Sequence, residues 1–420
     1  MNKQKNYIIV GLILLTFFVI SFLTNILGAL NPSVSESFTL SETMAGFLPF
    51  SFFIAYGVMS IPAGFLVEKY GEKRLMIVAF MMAFIASLVF AGLPSFTVYL
   101  ISLFTIGAGM AILQVVINPL LRVTGGEENY AFTSVMAQLI FGLASFVSPQ
   151  LYSWLVVGLR QEATEDGVVL AVMRNLVPAD MSWISMYWVF AVFSLLMVVI
   201  ILLFKFPKVE LQEDEKAGTK NVYLGLFKNR LALLYFLGIF AYVGAEQGIS
   251  YWMSKFLNEY HGFDYETIGA SAVAYFWGLM TIGGLFGLVL LKFLDSKVVL
   301  RWFTLTAILS LAIALFGPAM WSYYSFMMSG FFLSVMYPVI VSLGLNSIKE
   351  HHGAFAGILM TGIMGGAVVQ IIIGFISDFT SVKVGMMFVF VTLAYILSIS
   401  FWSKPIITNK TIKLKEFFSK

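Results

Sequence analysis

The chain has 420 residues, 60% of them hydrophobic and only 11% charged, with a formal net charge of +3. A soluble domain carries about 25% charged residues, so this surface is made for hydrocarbon and cannot be covered against water. The lack of cysteine excludes disulfides and cysteine nucleophiles, the three histidines (His261, His351, His352) are too scattered for a metal cluster, and the small charge gives no ground for a nucleic-acid partner.

A membrane span needs roughly 20 apolar residues. After Lys3 and Lys5, the apolar run from Tyr7 to Leu30 is long enough to cross and longer than a signal-peptide core, so it reads as the first helix. Eleven more follow, near 43–67, 74–93, 96–122, 130–158, 182–206, 229–257, 265–292, 298–316, 319–348, 353–377 and 384–404. The expected fold class is an all-α membrane protein with twelve transmembrane helices.

Basic residues orient it. With both termini in the cytoplasm, 21 of the 25 Lys and Arg fall on cytoplasmic segments, and Arg160, Arg174, Lys255 and Lys383 fall outside. Positive residues stay on the cytoplasmic side, so the pattern predicts N- and C-termini inside. No organellar targeting stretch is recognisable.

Between the sixth and seventh helices lies a polar stretch, Pro207 to Lys228, rich in Glu and Lys. It predicts an N-terminal six-helix bundle over 1–206, a cytoplasmic linker over 207–228, and a C-terminal bundle with a basic tail over 229–420. A second polar insertion, Arg160 to Asp180, reads as an outer surface loop with a short helix. The halves repeat weakly: Pro119 and Pro338 hold matching places in Gly-rich helices. Parallel six-helix repeats are a transporter signature. Mid-helix glycines such as Gly142, Gly244, Gly278 and Gly366 let backbones approach closely, and such surfaces also slide.

At the cytoplasmic end of the second helix stand Gly64, Glu68, Lys69, Gly71, Lys73 and Arg74. Gly64 suits a close helix crossing, Glu68 suits pairing with a helix end or basic group, Gly71 suits a tight turn, and the basic residues suit an anionic leaflet. The stretch resembles the major facilitator signature G-x-x-x-D-R-x-G-x-R-K, with Glu for Asp and Lys for the first Arg. That resemblance implies two pseudo-symmetric six-helix bundles. Three further stretches narrow it: Gln114 to Leu120 with Asn118-Pro119, Tyr242 to Gln247, and Phe331 to Leu343 with Tyr337-Pro338. Together they resemble the fucose–galactose–glucose:proton symporters, closest to the glucose/galactose branch. The resemblance implies a secondary transporter that imports a monosaccharide (hexose, deoxyhexose or amino sugar) with proton symport, without a cofactor beyond the coupling ion, as a monomer. Two positions depart from the fucose-type pattern: Asn25 matches, but Gly28 and Gln114 stand where those members carry carboxylates.

Among the acidic residues, Glu246 falls near the middle of a helix. A charged side chain there costs about 2.5–3.5 kcal/mol on insertion scales, so it is a functional candidate by default. It is the expected coupling residue, as proton carrier, cation ligand or sugar contact. Sugars need directional hydrogen bonds without a charge to desolvate, and amides supply both donor and acceptor. Asn25, Gln114, Asn118, Gln138, Gln247 and Gln370 are the mid-helix amides. Gln114 and Asn118 are four apart, on one helix face. The resemblance places Asn25 and Gln138 at pocket positions. Tyr251, Trp252, Tyr275, Trp277 and Tyr337 are candidates to stack on a sugar ring, with Trp252 and Tyr337 preferred. Sodium coupling is the alternative, with Glu246 and amides as hard oxygen ligands. A drug or metabolite exporter fits less well, because the fifth helix lacks a Gly-Pro motif. No nucleophile–base set or nucleotide loop points to an enzyme.

Overall fold

The structure, a computed structural model, describes residues 7–126, 130–161, 167–206 and 220–406. Among these residues twelve helices are long and apolar enough to cross a membrane. They are numbered here as spans 1 to 12: Tyr7–Ser37, Glu42–Tyr70, Glu72–Gly92, Phe96–Gly125, Phe132–Arg160, Ser182–Leu203, Arg230–His261, Tyr265–Phe293, Ser296–Phe316, Ala319–Leu345, His352–Phe379 and Val382–Trp402. The chain is a multi-pass membrane protein of two six-helix bundles. Consecutive spans run in opposite directions, so one face gathers both ends of the bundle, near Tyr7 and Trp402. It is called the terminal face, and its opposite the far face.

Helix starts follow the sequence closely. Ser41, Ser95, Asn229, Asp264, Asp295 and Ser381 each cap a first turn with a side-chain oxygen. Such caps satisfy backbone N–H groups that a helix leaves unpaired. Span 7 stops at Gly262, whose left-handed backbone (φ 68°) closes the last turn. Within hydrocarbon every backbone group must be paired internally. Breaks in the helical ladder therefore stand out. Span 1 breaks at Asn25 and Ile26, span 10 at Ser334 and Val335, and span 11 tightens into a 3-10 turn over Gly362–Met364. All three flank the candidate residues described below.

Span 1 runs seven residues further than its apolar stretch suggested, through Pro32 to Ser37. Buried Asn31, Ser33 and Ser35 lie in this extension, and their polarity hid it. The loop after span 5 contains the helix Val168–Leu176, held down by Arg174, which donates to the carbonyls of Leu159 and Gly158. Of the linker expected over 207–228, residues 207–219 lie outside the described residues. The remainder is a short helix, Lys220–Lys228. Its Tyr223 packs between the two halves, 6.2 Å ring to ring from Phe65 of span 2 and against Gly357 of span 11.

Candidate functional site

Glu246 lies midway along span 7, partly exposed. Tyr242, one turn earlier, donates its hydroxyl to Oε2 at 2.5 Å. Gln247 donates its amide to Oε1 at 3.1 Å. Residues four apart share a helix face, so span 7 supplies the tyrosine that holds its own carboxyl group. A carboxyl group held by donors at mid-depth, yet reachable, is equipped to take up and release a proton.

Around it lie aromatic and amide groups from three further spans. The Tyr242 and Tyr337 rings are 5.8 Å apart, and the Tyr337 hydroxyl reaches Met360 Sδ at 3.2 Å. Trp252 and Gln370 are fully buried, and the indole N–H donates to Gln370 Oε1 at 2.9 Å. That bond turns the other amide atom, Gln370 Nε2, into a buried donor with no protein partner. A buried unsatisfied donor costs about 1–3 kcal/mol. Tyr56 of span 2 brings a second buried hydroxyl without a hydrogen-bond partner among the described residues. Gln247 is buried against span 11, where a Cβ on Gly366 would stand 3.2 Å from its Cγ.

The other sequence candidates are placed differently. Asn25 sits in the break of span 1 and donates to Ser145 Oγ at 2.8 Å, while Ser21 and Ser145 bond each other at 2.6 Å. It is tied into a buried polar knot between spans 1 and 5. Asn118 is exposed and donates to the Gln114 carbonyl at 3.1 Å, within its own helix. Gln138 is exposed and Gln114 partly so. The structure thus joins Glu246, Gln247 and Tyr337 in one cluster and Trp252 with Gln370 in a pair, and sets Asn25 apart in its knot. Tyr242 and Tyr56 were not among the expected site residues. The i, i+4 spacing of Tyr242 and Glu246 was the available signal for the first; nothing in the sequence distinguishes Tyr56 from seventeen other tyrosines.

The two bundles meet tightly towards the far face. A Cβ on Gly28 of span 1 would run into the Ser250 carbonyl of span 7, and one on Gly46 of span 2 would stand 2.7 Å from the Gln370 carbonyl of span 11. Asn31 donates to the Tyr251 carbonyl at 3.2 Å, and Tyr251 donates its hydroxyl to the Ala45 carbonyl at 2.7 Å. Spans 5 and 8 touch through Arg160–Glu266 at 2.7 Å, through Phe146–Tyr275 rings 5.5 Å apart, and last at Gly142 against Thr281. One turn nearer the terminal face Gln138 is exposed and Gly284 faces open space. Between spans 5 and 8 the seam is shut at the far face and parts towards the terminal face, while spans 2 and 11 stay together as far as Gly57 against Met364.

The turn carrying the sequence signature has its own geometry. Gly71 adopts φ +81°, a backbone that favours glycine. Lys73 donates to the carbonyls of Leu202 and Phe204 at 2.9 and 2.7 Å, at the end of span 6. A cation there satisfies orphan carbonyls and meets the negative end of the helix dipole. This is a contact inside the first bundle, where the sequence suggested a lipid anchor. Gly64 is partly buried, Glu68 and Arg74 are exposed, and Lys69 lies over the Tyr70 ring at 5.2 Å.

A sequence profile of the Major Facilitator Superfamily matches residues 13–370. The glucose/galactose transporter of Brucella abortus is 30% identical over 401 residues, covering 94% of each chain. The L-fucose-proton symporter of Escherichia coli is 25% identical, covering 90% of this chain and 89% of that one. Among solved structures, the E. coli fucose:proton symporter superposes with a TM-score of 0.68 at 22% identity, over 96% of this chain and 100% of that one. A bacterial homologue of the human lysosomal transporter Spinster, inward-facing and unoccupied, gives 0.73 at 14% identity, over 95% of this chain and 98% of that one.

Proposed function

The chain belongs to the Major Facilitator Superfamily, and on that premise we propose that it imports a monosaccharide by alternating access, coupled to proton symport. It is a transporter and not an enzyme. The names of its relatives point to glucose, galactose or fucose, which sets the class as hexose or deoxyhexose, with amino sugars within its reach. The observation that carries the reading is the Glu246 cluster: a carboxyl group at mid-depth, held by Tyr242 and Gln247 and bordered by Tyr337.

The terminal face is the cytoplasmic one, by the placement of the basic residues. The protein then sits in the cytoplasmic (inner) membrane with both termini inside, and the contacts at the far face support an inward-facing state. The bundles 1–206 and 229–420 rock about the 207–228 linker. Sugar binds between them, with Gln247, Gln370, Tyr337 and Trp252 on one side and Gln114, Asn118 and Gln138 on the other. Gln370 Nε2 and the Tyr56 hydroxyl, buried without good partners, are donors a sugar hydroxyl would satisfy. Asn25 supports the pocket through its serine knot. Glu246 takes a proton from outside, and loses it once exposed inside. Gly64 to Arg74 keep spans 2, 3 and 6 in register through the swing. One copy in the bilayer suffices, since no part of this site needs a second chain.

Uptake of labelled glucose, galactose, fucose and N-acetylglucosamine into vesicles, under an imposed proton or sodium gradient, tests this. Accumulation of one or more sugars driven by the proton gradient is the expected result. Accumulation driven by sodium would replace the coupling ion, and failure to take up any sugar, with retained dye efflux, would replace the function.

A further inference from the structure

Four groups of the second bundle converge on one turn of the first. The carboxylate of Asp378, at the end of span 11, accepts from the backbone N–H groups of Glu42 at 2.7 Å and Thr43 at 3.0 Å. The Lys255 ammonium of span 7 donates to both carboxylate oxygens of Glu42 at 2.6 Å. These two side chains are largely buried, with 12% and 19% of their surfaces exposed. The Tyr251 hydroxyl donates to the Ala45 carbonyl. Gly374 lies so close beneath the Glu42 carbonyl that a Cβ there would collide with it.

We propose that this turn, Glu42 to Ala45, is the latch of the far gate, and that Asp378 and Lys255 are its bolts. A helix N-terminus presents unpaired N–H groups and a positive dipole end, which a carboxylate complements. Span 2 has its local cap, Ser41, on the N–H of Met44. The N–H groups of Glu42 and Thr43, nearer the helix start, are met from across the seam. Helix capping is here an intermolecular-style contact made between halves of one chain. When the far face opens, water replaces Asp378, and the Glu42–Lys255 pair separates into solvent. The shut state therefore holds the contact energy and the open state holds the hydration. Lys255 also stands 3.9 Å from Glu259 on its own helix, whereas removing Lys255 takes the cation from the Glu42 carboxylate in the shut state and leaves that carboxylate hydrated in the open one, which tips the balance outward. Asp378 is exposed, so water screens it more and its removal tips the balance less.

The proposal rests on the alternating-access reading, and its test reads the gate without any substrate. The chain has no cysteine to remove. Leu93→Cys and Met320→Cys place spin labels on exposed far-face ends of the two bundles. Double electron–electron resonance then gives the populations of near and wide separations. In Lys255→Met the wide population rises about tenfold relative to the starting protein, and in Asp378→Asn by a few-fold. Lys255→Arg, which keeps the charge, leaves the distribution near its starting form. Gly92→Ala, in open space by the same face, is the control for a bystander substitution. An unchanged distribution in both Lys255→Met and Asp378→Asn overturns the latch. So does an equal shift in Lys255→Arg and Lys255→Met, which would make the effect one of shape and not of charge. Should Lys255→Met fail to reach the membrane, Asp378→Asn decides alone. Failed sugar uptake with the expected shifts would sink the substrate reading and leave the latch standing.

Discussion

The hydroxyl of Tyr242 donates to the Glu246 carboxyl group across a single turn of span 7, at 2.5 Å. One helix thus carries both the titratable group and its main donor. When span 7 moves they move together, and the group changes its exposure without changing this partner. Four residues further on, the Ser250 carbonyl meets Gly28 of the opposite bundle. Glu246 and the seam are therefore neighbours on the same rod.

Glu246→Gln keeps the shape and both neighbours but removes the titration. Concentrative uptake should be lost, while sugar exchange at equal concentrations persists. Counterflow in proteoliposomes checks this, and accumulation against a gradient by this variant would remove Glu246 from the coupling cycle. Tyr242→Phe should fall between, with coupled uptake lowered about tenfold, since a hydrogen bond to a charged group contributes about 1.5–3 kcal/mol.

Gly28→Ala adds one methyl group where the Ser250 carbonyl stands. The far face then cannot shut as it does here. Uptake should vanish while the protein still inserts and binds sugar from the far side. Substrate protection of a far-face cysteine label measures that binding. Gly11→Ala, which meets nothing within 4 Å, should transport normally.

Trp252→Phe keeps an aromatic side chain, though a smaller one, and removes the N–H that Gln370 Oε1 accepts. Stability should fall by about 1–2 kcal/mol, read as a lower melting temperature in detergent. Gln370 would lose its orientation, so the sugar KM should rise more than the maximal rate falls.

Lys73→Ala removes two donors from the end of span 6. The expected loss is about 1 kcal/mol of stability, because water at this interface replaces part of each bond. Affinity for sugar should be unchanged, which thermal shift and equilibrium binding together establish.

Much of this was legible in the sequence because hydrocarbon leaves few choices. Runs such as Phe96 to Leu121 have no other stable form than a crossing helix. Glu246 was legible for the same reason: a charge inside such a run is costly and stands out against it. Partnerships were not legible. Asn118 and Gln114 share one helix face, and the amide of Asn118 bonds the Gln114 backbone, a local contact any helix offers to such a residue. The contact between Asp378 and Glu42 joins residues 336 apart, and nothing local to either position announces it. Periodicity reports which face is apolar, not which helix it meets.

The short helix Lys220–Lys228 is more than a connection. Its Tyr223 is wedged between Phe65 and Gly357, on the face where the halves part. Deeper in the bundle spans 2 and 11 already touch, at Gly57 against Met364, and the Tyr223 ring fills the space between them beyond that contact. If the halves close here during the proposed cycle, Tyr223 is a doorstop that has to slip out first, and the short helix that carries it then sets part of the timing.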